Sequence, residues 1–198
     1  MNEKQTKFKE MLLSTNREGM ENVIERLDEQ GFFKAPASTK FHLNYEGGLL
    51  EHSMNVCDMA LELRELMIRK DESLRDLLPK ESVVIAALLH DVCKTDIYKP
   101  AIKKQKNASG IWCDVPGYDV DYRNFPLGHG EKSVIWLLHN GLKLTEDEIM
   151  AIRWHMTAWD LAFQSPEIKN NLNAAKERCP LLPLIQAADG LAANILER

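Results

Sequence analysis

The run Val83-Val84-Ile85-Ala86-Ala87-Leu88-Leu89 ends directly in His90-Asp91. Seven apolar residues in succession suit a helix buried on all sides, and an ionisable pair at its end must be hydrogen-bonded, ion-paired or bound to a cation. Two other positions pose the same problem. Asp189 lies in Ala187-Ala188-Asp189-Gly190-Leu191-Ala192, and His52 lies on a stretch from about Leu49 to Ile68 whose apolar residues cover more than one helical stripe. Imidazoles and carboxylates projecting inward from several helices are how helical bundles hold metal ions. The expectation is therefore an all-α bundle with a polar centre.

Hydrophobic periodicity fills in the rest of the chain. Two short amphipathic helices are expected over Lys4–Leu13 and Met20–Gln30, with Gly31 ending the second, and residues 1–31 read as an extension packed on the core. Residues 32–48, with Pro36, Gly47 and Gly48, form an irregular connection into the long helix. Glu81–Val92 reads as the buried helix. Residues 96–127 differ in kind: lysines at 99, 103, 104 and 106 are followed by Gly110, Pro116, Gly117 and Pro126, with Trp112, Tyr118, Tyr122 and Phe125 interspersed. This reads as a long loop or a small β-hairpin turning at Asn107-Ala108-Ser109-Gly110, and long insertions of this sort are often lids. Gly128–Asn140 returns to helical periodicity and is closed by Gly141. Thr145 with Glu148 makes a capping box for a helix to about His155, Ser165-Pro166 opens another through Arg178, and a last helix starts at 180–183 and runs to Leu196.

Bulk properties exclude some classes. A net charge of −5 and a pI near 5.7 disfavour a duplex-DNA binder, which carries a positive footprint. The charged start of the chain and the absence of a long apolar run point away from a membrane span and toward a cytoplasmic protein. Cys57, Cys93, Cys113 and Cys179 form no CxxC pair and read as reduced thiols. With 198 residues, one domain is expected.

The polar residues occur in the order His52, His90-Asp91, His129, His155, Asp189, each on a different expected helix or helix end apart from the doublet. This order resembles the HD superfamily of metal-dependent phosphohydrolases, defined by a first His, the His-Asp doublet and a late Asp, here His52, His90, Asp91 and Asp189. Gly47-Gly48-Leu49-Leu50-Glu51-His52 is similar to an element of HD domains in bacterial 3′-to-5′ exoribonucleases, and Lys94 follows the doublet as in the family, although Cys93 stands where Gly is usual. That departure is expected to affect only the tightness of the helix end. The resemblance covers about residues 44–196, the expected core.

The resemblance implies a metal-dependent phosphohydrolase acting through a metal-bound hydroxide on a nucleotide or another phosphate ester. His129 and His155 match the extra histidines of dinuclear subgroups, so the expected cofactor is a pair of divalent ions: Mn, Fe, Co, Ni or Zn, with Mg also compatible. Asp91 would bridge them, with His52, His90 and Asp189 completing one site and His129 and His155 the other. Lys94 would steady a phosphate oxygen. Lys104 and Arg153 would add phosphate contacts, and Trp112 or Trp159 would stack on a base; His42 is a further pocket candidate. The partner is then a small phosphorylated compound, a nucleotide or a short oligonucleotide, while the oligomeric state is left open. The same ligand order also resembles HD-fold di-iron oxygenases such as myo-inositol oxygenase, and a non-catalytic HD binding module is a third reading.

Overall fold

The computed structural model describes residues 3–156 and 166–197; Trp159 and Ser165 lie outside them. It is a helical bundle with one small hairpin. Helix α1 (Glu3–Leu13) and α2 (Met20–Glu29) lead through a 3₁₀ turn at Phe32–Lys34 into the long α3 (Gly48–Lys70). A short α4 (Leu74–Leu77) precedes α5 (Lys80–Leu89), in which every residue from Ser82 to Leu89 is buried. The short α6 (Lys94–Ile97) feeds the hairpin, β1 (Tyr98–Lys106) and β2 (Trp112–Val120). Helices α7 (His129–His139), α8 (Glu146–Trp154), α9 (Pro166–Arg178) and α10 (Leu181–Leu191) follow, and Ala192–Leu196 form a π-helical turn.

The centre of the molecule is α5. It packs on α3, α8 and α10, which is why its sequence is apolar all round. Helix α1 lies across α3 and α5, with Phe8 meeting Phe32 and Phe33 at ring distances of 5.1 and 5.6 Å. The N-terminal extension is also tied down by Arg17, whose guanidinium donates two bonds, 2.6 and 2.8 Å, to the buried Glu148 carboxylate on α8. Glu148 completes the expected capping box as well: its Oε2 accepts from Thr145 N at 2.8 Å and its own N–H donates to Thr145 Oγ1 at 3.2 Å.

Two elements differ from expectation in their ends. Helix α5 stops at Leu89 instead of Val92, and residues 90–93 form a turn tied to the third residue back. His90 Nδ1 donates to the Ala87 carbonyl at 2.8 Å, competing for an acceptor that the next helical N–H would use. The last helix changes pitch at Ala192 instead of running unbroken to Leu196. Between 96 and 127 the hairpin alternative is the one found, antiparallel and in register from Tyr98↔Val120 to Lys106↔Trp112. Asn107 Oδ1 accepts from the Ser109 and Ile111 amides, and Gly110 takes φ +75°, which closes the turn. Among the described residues no single helix is long and apolar enough to cross a membrane.

Candidate metal centre

Five helices converge on one buried spot. His52 comes from the second turn of α3, His90 and Asp91 from the end of α5, His129 from the first residue of α7, His155 from the end of α8 and Asp189 from α10. The junction of α7 and α8 depends on Gly130. A Cβ there would lie 2.2 Å from the Arg153 carbonyl oxygen, so only glycine lets these helices touch closely enough to hold the His129 and His155 rings 5.3 Å apart. Gly48 serves α3 in the same way, since a Cβ there would lie 2.0 Å from the Leu43 carbonyl oxygen.

Asp91, 2% exposed, is the hub. Its Oδ2 lies 3.4 Å from His52 Nε2, 3.3 Å from His90 Nε2 and 2.5 Å from Lys94 Nζ. Its Oδ1 contacts His129 Nε2 and lies 3.5 Å from His155 Nε2. The two oxygens of one carboxylate thus face two different sets of imidazoles. Asp189 Oδ1 closes the first set at 3.3 Å from His52 Nε2, and His52 Nε2 is 3.3 Å from His90 Nε2. Donor atoms within 4.8 Å of one another form the groups His52–His90–Asp91, His90–His155–Asp189 and Asp91–His129–His155, with His42–His52–Glu197 behind the first. His155 therefore borders both halves, so the cluster is less cleanly divided than the expected sets of His52, His90 and Asp189 on one side of Asp91 and His129 and His155 on the other.

The imidazole orientations suit ligation. His90 and His155 donate Nδ1–H to the carbonyls of Ala87 and Ile152 at 2.8 and 2.7 Å, which leaves each Nε2 aimed at the centre. A carbonyl only accepts, so the tautomer follows from the partner. Among the described residues His155 Nε2 is buried without a hydrogen-bond partner, an arrangement that a cation would satisfy. Ligands held about 2.0–2.2 Å from a single ion lie about 3.0–3.4 Å from one another, and the separations around His52 Nε2 fall in that range. The donor set and its spacing fit a divalent transition ion.

The electrostatics agree with the crowding of carboxylates. Burial alone would raise the Asp91 carboxyl, but Lys94, His90 and His129 outweigh it and hold the group well below the usual carboxylate range. Burial opposes a proton on His52, yet hydrogen bonds donated to Asp189, Asp91 and Glu197 push its pKa up to about 10. Burial likewise opposes a proton on His129, where Cys93 and Asp91 overcome it. His155 is shifted down, first by burial and then by its neighbouring histidines, and stays neutral.

A cavity of about 450 Å³ opens on this cluster, with Lys94, His129, Lys132 and His42 in its wall and Phe41 and Tyr122 at its rim. Phe41 is 82% exposed and Tyr122 62%. Other candidates are placed elsewhere. Lys104 pairs across the hairpin with Asp114 at 2.6 Å, about 20 Å along the strand from Tyr98 at the cavity. Trp112 lies further out, under Lys106. Arg153 donates to Glu131 at 2.8 Å and stacks on Trp154 at 4.2 Å. None of these three lines the cavity. Two residues not expected at the centre do touch it: Glu197 meets His52 Nδ1, and Cys93 Sγ lies 3.5 Å from His129 Nδ1. The substitution at 93 thus reaches a ring of the cluster, not merely the helix end.

The HD domain family model matches residues 49–194, and that span contains His52, His90, Asp91, His129, His155 and Asp189. The chain belongs to the HD domain family. A curated relative, the dihydroneopterin 2′,3′-cyclic phosphate phosphodiesterase of Methanocaldococcus jannaschii, is 36% identical over 61 residues, 31% of this chain. The match spans 23% of that relative's length. No solved structure matches the chain significantly.

Proposed function

We propose that this HD protein is a metal-dependent phosphohydrolase that holds two divalent ions across Asp91. The observation that carries the reading is the division of the Asp91 carboxylate, with Oδ2 toward His52 and His90 and Oδ1 toward His129 and His155. His52, His90, Asp91 and Asp189 would hold one ion, and Asp91, His129 and His155 the other. Charge balance supports the same conclusion. The carboxylates of Asp91, Asp189 and Glu197 are matched by Lys94 and by the protons they favour on His52 and His129, and divalent ions would stand in place of those protons. With the imidazoles neutral, a pair of divalent ions would give the centre a local excess of positive charge, which suits a phosphate.

When bound, the ions lower the pKa of water and polarise a phosphoryl oxygen. The chain's own groups then orient the substrate. Lys94, fixed at the floor of the cavity against Asp91, donates to a phosphate oxygen as charge accumulates on it. Phe41 and Tyr122 offer ring faces at the mouth for the planar part of the substrate, in place of Trp112. Lys104 and Trp112 would be reached only by a longer ligand laid along the hairpin, such as an oligonucleotide. The free thiols of Cys57, Cys93, Cys113 and Cys179 support a cytoplasmic setting.

The relative's named substrate is a cyclic phosphodiester, which adds 2′,3′-cyclic phosphates to the nucleotides to be tested. The experiment is a screen of nucleoside monophosphates, triphosphates, 2′,3′-cyclic phosphates and short oligonucleotides with Mn²⁺, Co²⁺, Ni²⁺, Zn²⁺ and Mg²⁺. Hydrolysis that requires added metal and is abolished by a chelator is the expected result. Oxygen uptake without hydrolysis in the iron-loaded protein would replace the hydrolase with an oxygenase.

A further inference from the structure

We infer that Glu197 is a positioning residue of the metal centre, acting through His52; the inference rests on the metal-centre reading above. His90 and His155 have their Nδ1–H groups fixed by carbonyls three residues back on their own helices. His52 is oriented differently. Its Nδ1 turns to the far end of the chain, where both oxygens of Glu197 lie 3.1 Å away. An imidazole that ligates through Nε2 must present an N–H at Nδ1, and a carboxylate there fixes the ring and makes the ligating nitrogen more electron-rich.

The setting of Glu197 suits this role better than a surface anchor. Its side chain is 1% exposed, and an ionised carboxylate so buried has to be matched by donors. Besides His52 it accepts from Asn55 Nδ2 at 3.2 Å, one turn further along α3, and His42 Nε2 stands 3.9 Å off. The C-terminal arm therefore grips His52 from both sides. Asp189 on α10 faces Nε2 at 3.3 Å, and eight residues later Glu197 backs Nδ1. The turn between them is the π-helical Ala192–Leu196, a departure from α-geometry of the sort found at functional sites, and Glu197 N–H closes it on the Ala192 carbonyl at 3.1 Å.

The test measures Mn²⁺ or Zn²⁺ affinity by competition with a fluorescent chelator, in wild type, Glu197→Gln and Glu197→Ala, with thermal melting of each metal-free protein alongside. Glutamine keeps the size and one acceptor oxygen but not the charge. A positioning role gives graded weakening, about 10-fold for Gln and up to about 100-fold for Ala. The melting temperature of metal-free Glu197→Gln should stay within a few degrees of wild type, so the Gln arm decides the matter even if the Ala variant fails to fold. Wild-type binding that Glu197→Gln retains at full strength overturns the inference alone. A wild-type chain that takes up no metal overturns the metal-centre reading and this inference with it.

Discussion

At the residue scale the site is defined by ionisable side chains where apolar ones would otherwise pack. His52, His90, Asp91 and Asp189 were legible in the sequence for that reason: His90 and Asp91 end a helix with no solvent face, and His52 and Asp189 lie among the apolar residues of α3 and α10. Glu197 was not. It follows three exposed residues, Asn194 to Leu196, and only the π-helical turn carries it inward. Cys93 was legible as a departure from the family pattern, but its contact with His129 arises from the approach of α7, 36 residues later. Lys94 shows how one residue can be separated from its neighbours by experiment. It touches Asp91 at 2.5 Å yet is not a metal ligand, so Lys94→Met should leave metal content unchanged and lower kcat/KM about 10²-fold. Elemental analysis and steady-state kinetics on the same preparation check this, and loss of metal would mean that the ammonium serves mainly to hold Asp91.

At the element scale the helices were readable because periodicity, capping and composition agreed. Thr145 and Glu148 form the box their spacing suggests, and the all-apolar α5 is the helix surrounded by others. The choice between loop and hairpin at 96–127 was not readable, because the strands carry only an irregular alternation and are stabilised by exposed cross-strand pairs such as Lys104–Asp114. What no periodicity conveys is how closely two helices approach. Gly130 looks like any glycine near a helix start, yet it sets the contact of α7 with α8. Gly130→Ala should force these helices apart, and the resulting loss should fall on the His129–His155 half of the centre. Metal bound per chain is expected to drop from about two to about one while His52, His90 and Asp189 keep their ion. Isothermal titration with Mn²⁺ checks it, and two full sites in the variant would show that the helices slide without disturbing their histidines.

At the scale of the whole molecule, the proposed function has an acidic chain of net charge −5 recognise phosphate in one small region. Sequence order could not show that Arg17 reaches Glu148 across 131 residues, because long-range ion pairs leave no local pattern. The reading of the chain as one domain rests on such ties between the first helices and α8. Its central claim is that the helix ends meet to hold two ions, with Asp91 shared between them. The most direct test is the number of metal ions per chain after saturating reconstitution in wild type, His129→Ala and His155→Ala, counted by elemental analysis on folded, monodisperse protein. The account expects about two in wild type and about one in each variant, with kcat falling steeply as the clamp on attacking and leaving oxygens is lost. Equal metal content in all three proteins would contradict it and leave a mononuclear centre held by His52, His90, Asp91 and Asp189.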